Sequence, residues 1–281
     1  MQVLVYFDED EEHVARSTVA ELAKQFQFSV DLLIRSAPVN LAVWQALSSE
    51  PVVVWQTRAP FEEAIRARCA ERHYALVVTA PSDRRGILRL LLGSRLIRFA
   101  GAAPATIWVS RNHPRPLHRI LVGISGAPQS EQDAQLAARL AVAYGAQLVL
   151  VHVVSQLPLL YTTPGEFQAA LADAEQLAGL DPGARELQRI YQLLHDAGVQ
   201  VELVVREGTV IDGLVAACAE QGEQPAADLL VIGAHASSNE GGTDYFVNLA
   251  EQITEAVACP TLVVHAQSDW AEWTMIPRVA P

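Results

Sequence analysis

The 281 residues are 51% hydrophobic and carry a formal net charge of -12 at pH 7, enough apolar material for two domain-sized cores and the wrong sign for a nucleic-acid partner held by its phosphates. The acidity is uneven: residues 1–112 hold 12 acidic against 13 basic side chains, and the remainder 20 against 7. Cys69, Cys218 and Cys259 form no CxxC pair, which argues against a thiolate zinc site or a disulfide framework and for a reduced, cytoplasmic setting.

The chain opens on "MQVLVYFDEDEEH", apolar and then acidic, where an export signal needs a basic start; no apolar run approaches the ~18 residues of a membrane span. "VLVYFD" predicts a first strand ending at Asp8, and a helical segment of some four turns follows. "VVVWQ", "ALVVTA" and "ATIWVS" predict further strands, with helical patterns between them. After the exposed, two-proline stretch "SRNHPRPLHR" the order repeats: "ILVGIS" answers "VLVYFD", "VELVV" answers "VVVWQ", "CAE" at Cys218 answers "CAE" at Cys69, "DLLVIG" answers "ALVVTA", and "PTLVVH" answers "ATIWVS". The second copy is longer by a helical insertion at roughly 160–197. Short β-branched runs alternating with helices predict parallel sheets covered by helices, and uninterrupted runs such as "LVLVHVV" are those of strands buried on both faces. The expectation is two tandem five-stranded, Rossmann-like α/β domains, 1–112 and 117–268, with a tail at 269–281 whose Trp270 and Trp273 sit three apart. In such sheets ligands lie beyond the carboxyl ends of the strands, at the switch between the first strand and the fourth.

These strands, with "RILVGISGAPQSEQDAQLAARLAVAYGAQLVLVHVV", "LVVTAPSDRRG" and "LLLGSRLIR", resemble the universal stress protein family, in its tandem two-domain form. The resemblance implies an adenine-nucleotide-hydrolase-like fold. In ATP-binding members a Gly-x2-Gly-x9-Gly-Ser/Thr loop follows the fourth strand and an Asp closes the first. Such a corner works because bare glycine backbone lets a phosphate approach a helix start, whose free N–H groups and dipole attract an anion. By that resemblance the first domain keeps Asp8, Gly93 and Ser94, with Ala80 and Asp83 where the early glycines belong, and Arg84, Arg85, Gly86 and Arg95 alongside. The second domain reads Gly233, Ala236, Val247 and Asn248, with His235 in the loop and Ser125 in place of the Asp. Asn248 is expected to cap a helix with Glu251 as its capping-box partner. ATP in the first domain is the cofactor expectation, and the second site is degenerate.

The remaining constellations read blandly. Lys24 is the only lysine and follows no glycine loop, which removes a Walker-type phosphate loop and any lysine Schiff base elsewhere. "GISGA" is not a nucleophile elbow, the histidines pair at no metal-ligand spacing, and Cys69 and Cys218 are expected to fill core gaps. Gly208 in "REGTV" reads as turn geometry. By resemblance, the last strands of the two domains pair antiparallel inside one chain, a pseudo-dimer that buries two sheet edges and leaves further homodimerisation open. The reading is a non-enzymatic cytoplasmic stress-response protein acting through binding or regulation, with an unidentified protein partner, no nucleic acid and no membrane. An ATP-binding sensor and a weak ATPase stand as alternatives.

Overall fold

The computed structural model describes residues 1–7, 11–35, 39–80, 105–111, 116–127, 129–154, 182–219, 226–234 and 243–265. Its strands are β1 (Gln2–Phe7), β2 (Ser29–Ile34), β3 (Val53–Gln56), β4 (Leu76–Thr79), β5 (Thr106–Val109), β6 (Arg119–Gly123), β7 (Gln147–Val154), β8 (Val201–Glu207), β9 (Leu229–Gly233) and β10 (Thr261–Val264). The described helices are α1 (Glu12–Leu22), α2 (Leu41–Gln45), α3 (Phe61–Glu71), α4 (Ser130–Tyr144), α5 (Pro182–Asp196), α6 (Val210–Cys218) and α7 (Thr243–Ala256). The fold is α/β, with mostly parallel strands, and each run singled out in the sequence forms a strand. Among the described residues no helix is long and apolar enough to cross a membrane.

Two compact units divide the chain. One comprises Met1–Pro116, Ala234–Glu251 and Pro260–Pro281; the other comprises Leu117–Gly233 and Gln252–Cys259. In the first unit β1 is central, parallel to β2 and β4, and the parallel ladder extends through β3 on one side and β5 on the other. A last strand then adds antiparallel: β10 pairs with β5 in the register Thr261↔Val109, Leu262↔Trp108, Val263↔Ile107. In the second unit β6 is central, parallel to β7 and β9, with β8 beyond β7. The order β8-β7-β6-β9 repeats β3-β2-β1-β4.

Burial explains why these runs are strands. Val3, Leu4, Val5 and Phe7 in β1, and Ile120, Leu121 and Val122 in β6, are buried without alternation, as strands with both faces covered must be. Fully burying each such side chain contributes about 1.5–3 kcal/mol. Covering helices present one face: α1 buries Val14, Ala15, Thr18, Val19 and Leu22, the spacing of one helical stripe. Helix ends follow local chemistry. Gly145 closes α4 at φ +67, the left-handed position that favours glycine. Thr209 caps α6 by accepting the Asp212 N–H, directly after Gly208 at φ +119, the turn that its sequence context calls for.

Each unit also ties down the amino-terminal side of its strands with a carboxylate. In the first, buried Asp31 accepts hydrogen bonds from the Tyr74 hydroxyl at 2.7 Å and from Arg72 at 3.2 Å. In the second, Asp228 Oδ2 accepts the backbone N–H groups of His118 and Arg119 at 2.8 and 2.9 Å. Burial, then the Asp31 carboxylate, pushes the Tyr74 phenol well above the usual tyrosine range.

Candidate functional site at the carboxyl ends of the strands

The place to look in each unit is the rim where the central strand ends. In the first unit β1 ends at Phe7, and the indole of Trp44 from α2 lies parallel to the Phe7 ring, 5.6 Å between centroids and 5° between planes. Trp44 is fully buried. Its Nε1–H donates to Glu12 Oε1 at 3.0 Å in the first turn of α1, so the polar end of the ring is satisfied while its body fills the corner. Arg16 stands 3.7 Å from the same carboxylate. On the β4 and β5 side, the Ser110 N–H donates to Thr79 O at 2.7 Å, and the Thr18 hydroxyl lies 2.8 Å from Ser110 Oγ. Ala80, at the first of the aligned glycine positions, is buried.

In the second unit β6 ends at Gly123, where an added Cβ would make ordinary contacts with Ile232 at 3.4 Å and Leu214 at 3.5 Å. Beyond it, Ser125 is exposed but committed. Its N–H and its hydroxyl lie 3.3 and 3.1 Å from Oγ of fully buried Ser130, and its own Oγ accepts the Ala127 N–H at 3.3 Å. Gly126 adopts φ +82, and a Cβ there would come 2.7 Å from the Gly183 Cα at the start of α5. Backbone from α5 therefore lies against the corner. Arg189 on α5 fastens that helix to α4, reaching Glu131 at 2.6 Å and Glu186 at 2.7 Å; its hydrogen bond holds the Glu186 carboxyl below the usual range. Buried His152 on β7 sets its Nδ1 2.7 Å from Ile124 O, anchoring the same turn.

The site residues expected from the sequence divide sharply. Asp8, Asp83, Arg84, Arg85, Gly86, Gly93, Ser94, Arg95 and His235 lie outside the described residues, as do Trp270, Trp273 and all of the insertion before Pro182. Gly233 closes β9. Asn248 does not start a helix: α7 begins at Thr243, which puts Asn248 in the helix interior and removes the capping box with Glu251. The apolar spacing of Phe246, Leu249, Ala250 and Ile253 extends one amphipathic stripe upstream of the expected boundary. Sequence reading missed Trp44, Glu12, Ser130 and the contact of Gly126 with Gly183. Nothing in local spacing links these pairs, although "LAVWQ" could have drawn attention as a lone tryptophan in a short apolar helix. Among the described residues no group of three His, Cys, Asp or Glu side chains could hold a metal ion.

Comparison with known proteins bears on this arrangement. The model of the universal stress protein family matches residues 116–265. A universal stress protein from Archaeoglobus fulgidus superimposes with a TM-score of 0.60 at 12% identity, over 92% of this chain and 95% of that one. A functionally unknown protein from Pseudomonas aeruginosa gives 0.62 at 16%, over 94% and 92%. The cytoplasmic domain of a prokaryotic cation chloride cotransporter gives 0.52 at 17%, over 97% and 98%. At such identities the likeness is one of fold. No curated protein matches the chain in sequence.

Proposed function

Because the chain belongs to the universal stress protein family, we propose that it acts in the cytoplasm as a non-enzymatic stress-response protein, through binding or regulation, with a degenerate ATP site. One observation carries the degenerate site: the end of β6, where the resemblance places an adenine-binding Asp, has Ser125 tied to Ser130 and Gly126 pressed on Gly183. A hydroxyl stands where the resemblance asks for an adenine-binding carboxylate, and it is already hydrogen-bonded. The net charge of -12 fits a protein partner better than a nucleic acid. Tandem copies of one fold complete the proposal, a pseudo-dimer in which the last strand of the second copy, β10, crosses to pair antiparallel with β5 of the first: the repeated strand order and the β5–β10 register support it.

Native mass spectrometry of freshly purified protein tests this reading, with expected masses of the chain alone or with a non-nucleotide ligand. Co-purified triphosphate would overturn the degenerate site. A saturable ATP-dependent thermal stabilisation, about 2.7 kcal/mol at a hundred times the dissociation constant, that vanishes in Asp8→Ala and Ser94→Ala would instead make the first unit a nucleotide sensor. ATP hydrolysis lost with those same substitutions would make the protein an enzyme.

A further inference from the structure

The outermost strand of the first unit is open. Among the described residues β3 pairs with β2 on one side and with no strand on the other. Its backbone directions are fixed. The Thr57 N–H donates to Ile34 O at 2.9 Å, and in a parallel ladder alternate residues face the same neighbour. Val53, Trp55 and Thr57 therefore serve β2, while Val54 and Gln56 turn their N–H and C=O groups outward. One step earlier on that outward side, the Val52 N–H donates to Gln45 Oε1 at 3.0 Å, which closes the start of the edge and leaves the next two outward positions bare. The side chains are as open as the backbone. Val53 and Trp55 are 38% and 39% exposed, and the Arg68 guanidinium of α3 lies 4.1 Å from the centroid of the Trp55 ring. Folded proteins commonly blunt such an edge with a proline, a lysine or a bulge, and β3, Val-Val-Trp-Gln in unbroken register with β2, has none of these. We propose that β3 is the interface of a homodimer, in which two copies of the chain join their β3 edges antiparallel about a two-fold axis at Trp55.

The edge is complementary to itself. A two-fold contact sets the same surface against itself. Centred on Trp55, it places Val54 of each copy opposite Gln56 of the other, and these outward-facing residues exchange both of their N–H···O bonds. Trp55 then meets Trp55 of the second copy in the intervening non-hydrogen-bonded position, where Cα atoms come to about 4.5 Å and side chains are closest. Aromatic cross-strand pairs are among the stabilising ones. A slip of one residue would turn outward groups of one copy toward inward-facing residues of the other, so the backbone itself selects this register. Charge agrees. Exposed Glu50 precedes the strand and exposed Arg58 follows it, so reversing one copy lays the acidic end of each edge beside the basic end of the other. At the axis Arg68 is paired with Glu71 at 2.6 Å, which keeps the flanks from repelling one another. β8, the outer strand of the second unit, offers no comparable surface, since Val201 to Arg206 are all half-buried. An edge of four residues is smaller than a permanent interface requires, and the dimer is accordingly reversible and concentration-dependent.

The test is sedimentation velocity of the full chain from low to high micromolar concentration, with peptide-level hydrogen exchange at the two extremes. The dimer fraction should rise with concentration, and exchange at residues 52–57 should slow with it while exchange at 201–207 stays unchanged. Gln56→Pro removes an outward N–H without touching the β2 ladder. Trp55→Glu keeps a partner for Arg68 but sets two carboxylates opposite each other across the axis. Each should weaken the dimer at least tenfold while the monomer melts within a few degrees of wild type; if either variant unfolds, the other and the exchange footprint of the wild-type chain decide. A monomer at every concentration whose segment 52–57 exchanges rapidly leaves the edge to a strand of a different protein and overturns the proposal. A monomer in which that segment is already protected shows that the chain covers its own edge, and overturns it as well. A dimer that survives both substitutions, or whose protection falls at 201–207, uses another surface and defeats the assignment.

Discussion

The ends of β1 and β6 are equivalent places in two units of like strand order, and the chain fills them with different chemistry. At β1 one large aromatic side chain arrives from α2, stacks on Phe7 and discharges its single N–H onto Glu12. At β6 small groups do the work: two serine hydroxyls, a positive-φ glycine and the backbone of a second glycine. The lesson is that a strand-end corner is closed either by volume or by close approach. The first tolerates backbone variation but depends on one ring; the second depends on having no side chain at all.

Substitutions can break this contrast. Trp44→Ala should have the largest effect, about 3–5 kcal/mol of stability measured by urea unfolding, since it removes a fully buried ring and leaves a cavity. Trp44→Phe keeps most of the volume and loses only the N–H to Glu12, an expected cost of about 1–2 kcal/mol. A Trp44→Ala loss below the Trp44→Phe loss would show that the ring does not hold the corner.

Gly126→Ala comes next, and Gly145→Ala is its control. Both glycines have positive φ, but an added Cβ meets backbone at 2.7 Å at Gly126 and nothing within 4 Å at Gly145. The control should cost about 1–2 kcal/mol, the left-handed penalty alone, and Gly126→Ala measurably more. Equal losses in thermal unfolding would mean that α5 yields, and the close-approach account of this corner would be wrong.

A smaller effect is expected at the opposite ends of the strands, where the first unit uses a phenol and the second does not. Tyr74 has its pKa raised in the fold by burial and by Asp31. Its contribution is therefore fully present below the ordinary tyrosine value of about 10 and is lost as the pH climbs from there through the folded value. Wild-type stability should fall along this alkaline limb, and Tyr74→Phe should flatten it; an unchanged slope would remove Tyr74 as the cause. Burial likewise pushes the Cys69 thiol up to about 11, so Cys69→Ser separates the two contributions.

Ser130→Ala should have the smallest effect, about 1 kcal/mol by denaturant unfolding. It removes the oxygen that faces both the N–H and the hydroxyl of Ser125. Thermal titration of this variant with ATP sharpens the comparison further. Release of Ser125 alone should not create a nucleotide site while Gly183 still abuts Gly126, and saturable binding by Ser130→Ala would show otherwise.

Local pattern carried much of the fold. Runs such as "ALVV" and "LVLVHVV" could be read as strands because burial on both faces leaves no polar alternation, and their recurrence in one order announced two units of the same kind. Gly208 was readable as a turn because few residues accept its backbone angle. The start of α7 was not: an Asn followed by Glu three residues on is a good cap wherever a helix chooses to begin, but the apolar stripe ran further back and put Asn248 inside.

What lies at the strand ends was not written locally. Trp44 meets Phe7 across 36 intervening positions, and Gly126 meets Gly183 across 56. Strand and helix identity follow from the period of apolar side chains along a few consecutive residues, so the ordered residues spell them out. Which ring covers which strand end, and which backbone lies against it, depends on distances between segments that chain connectivity does not constrain; packing of the completed sheets settles those.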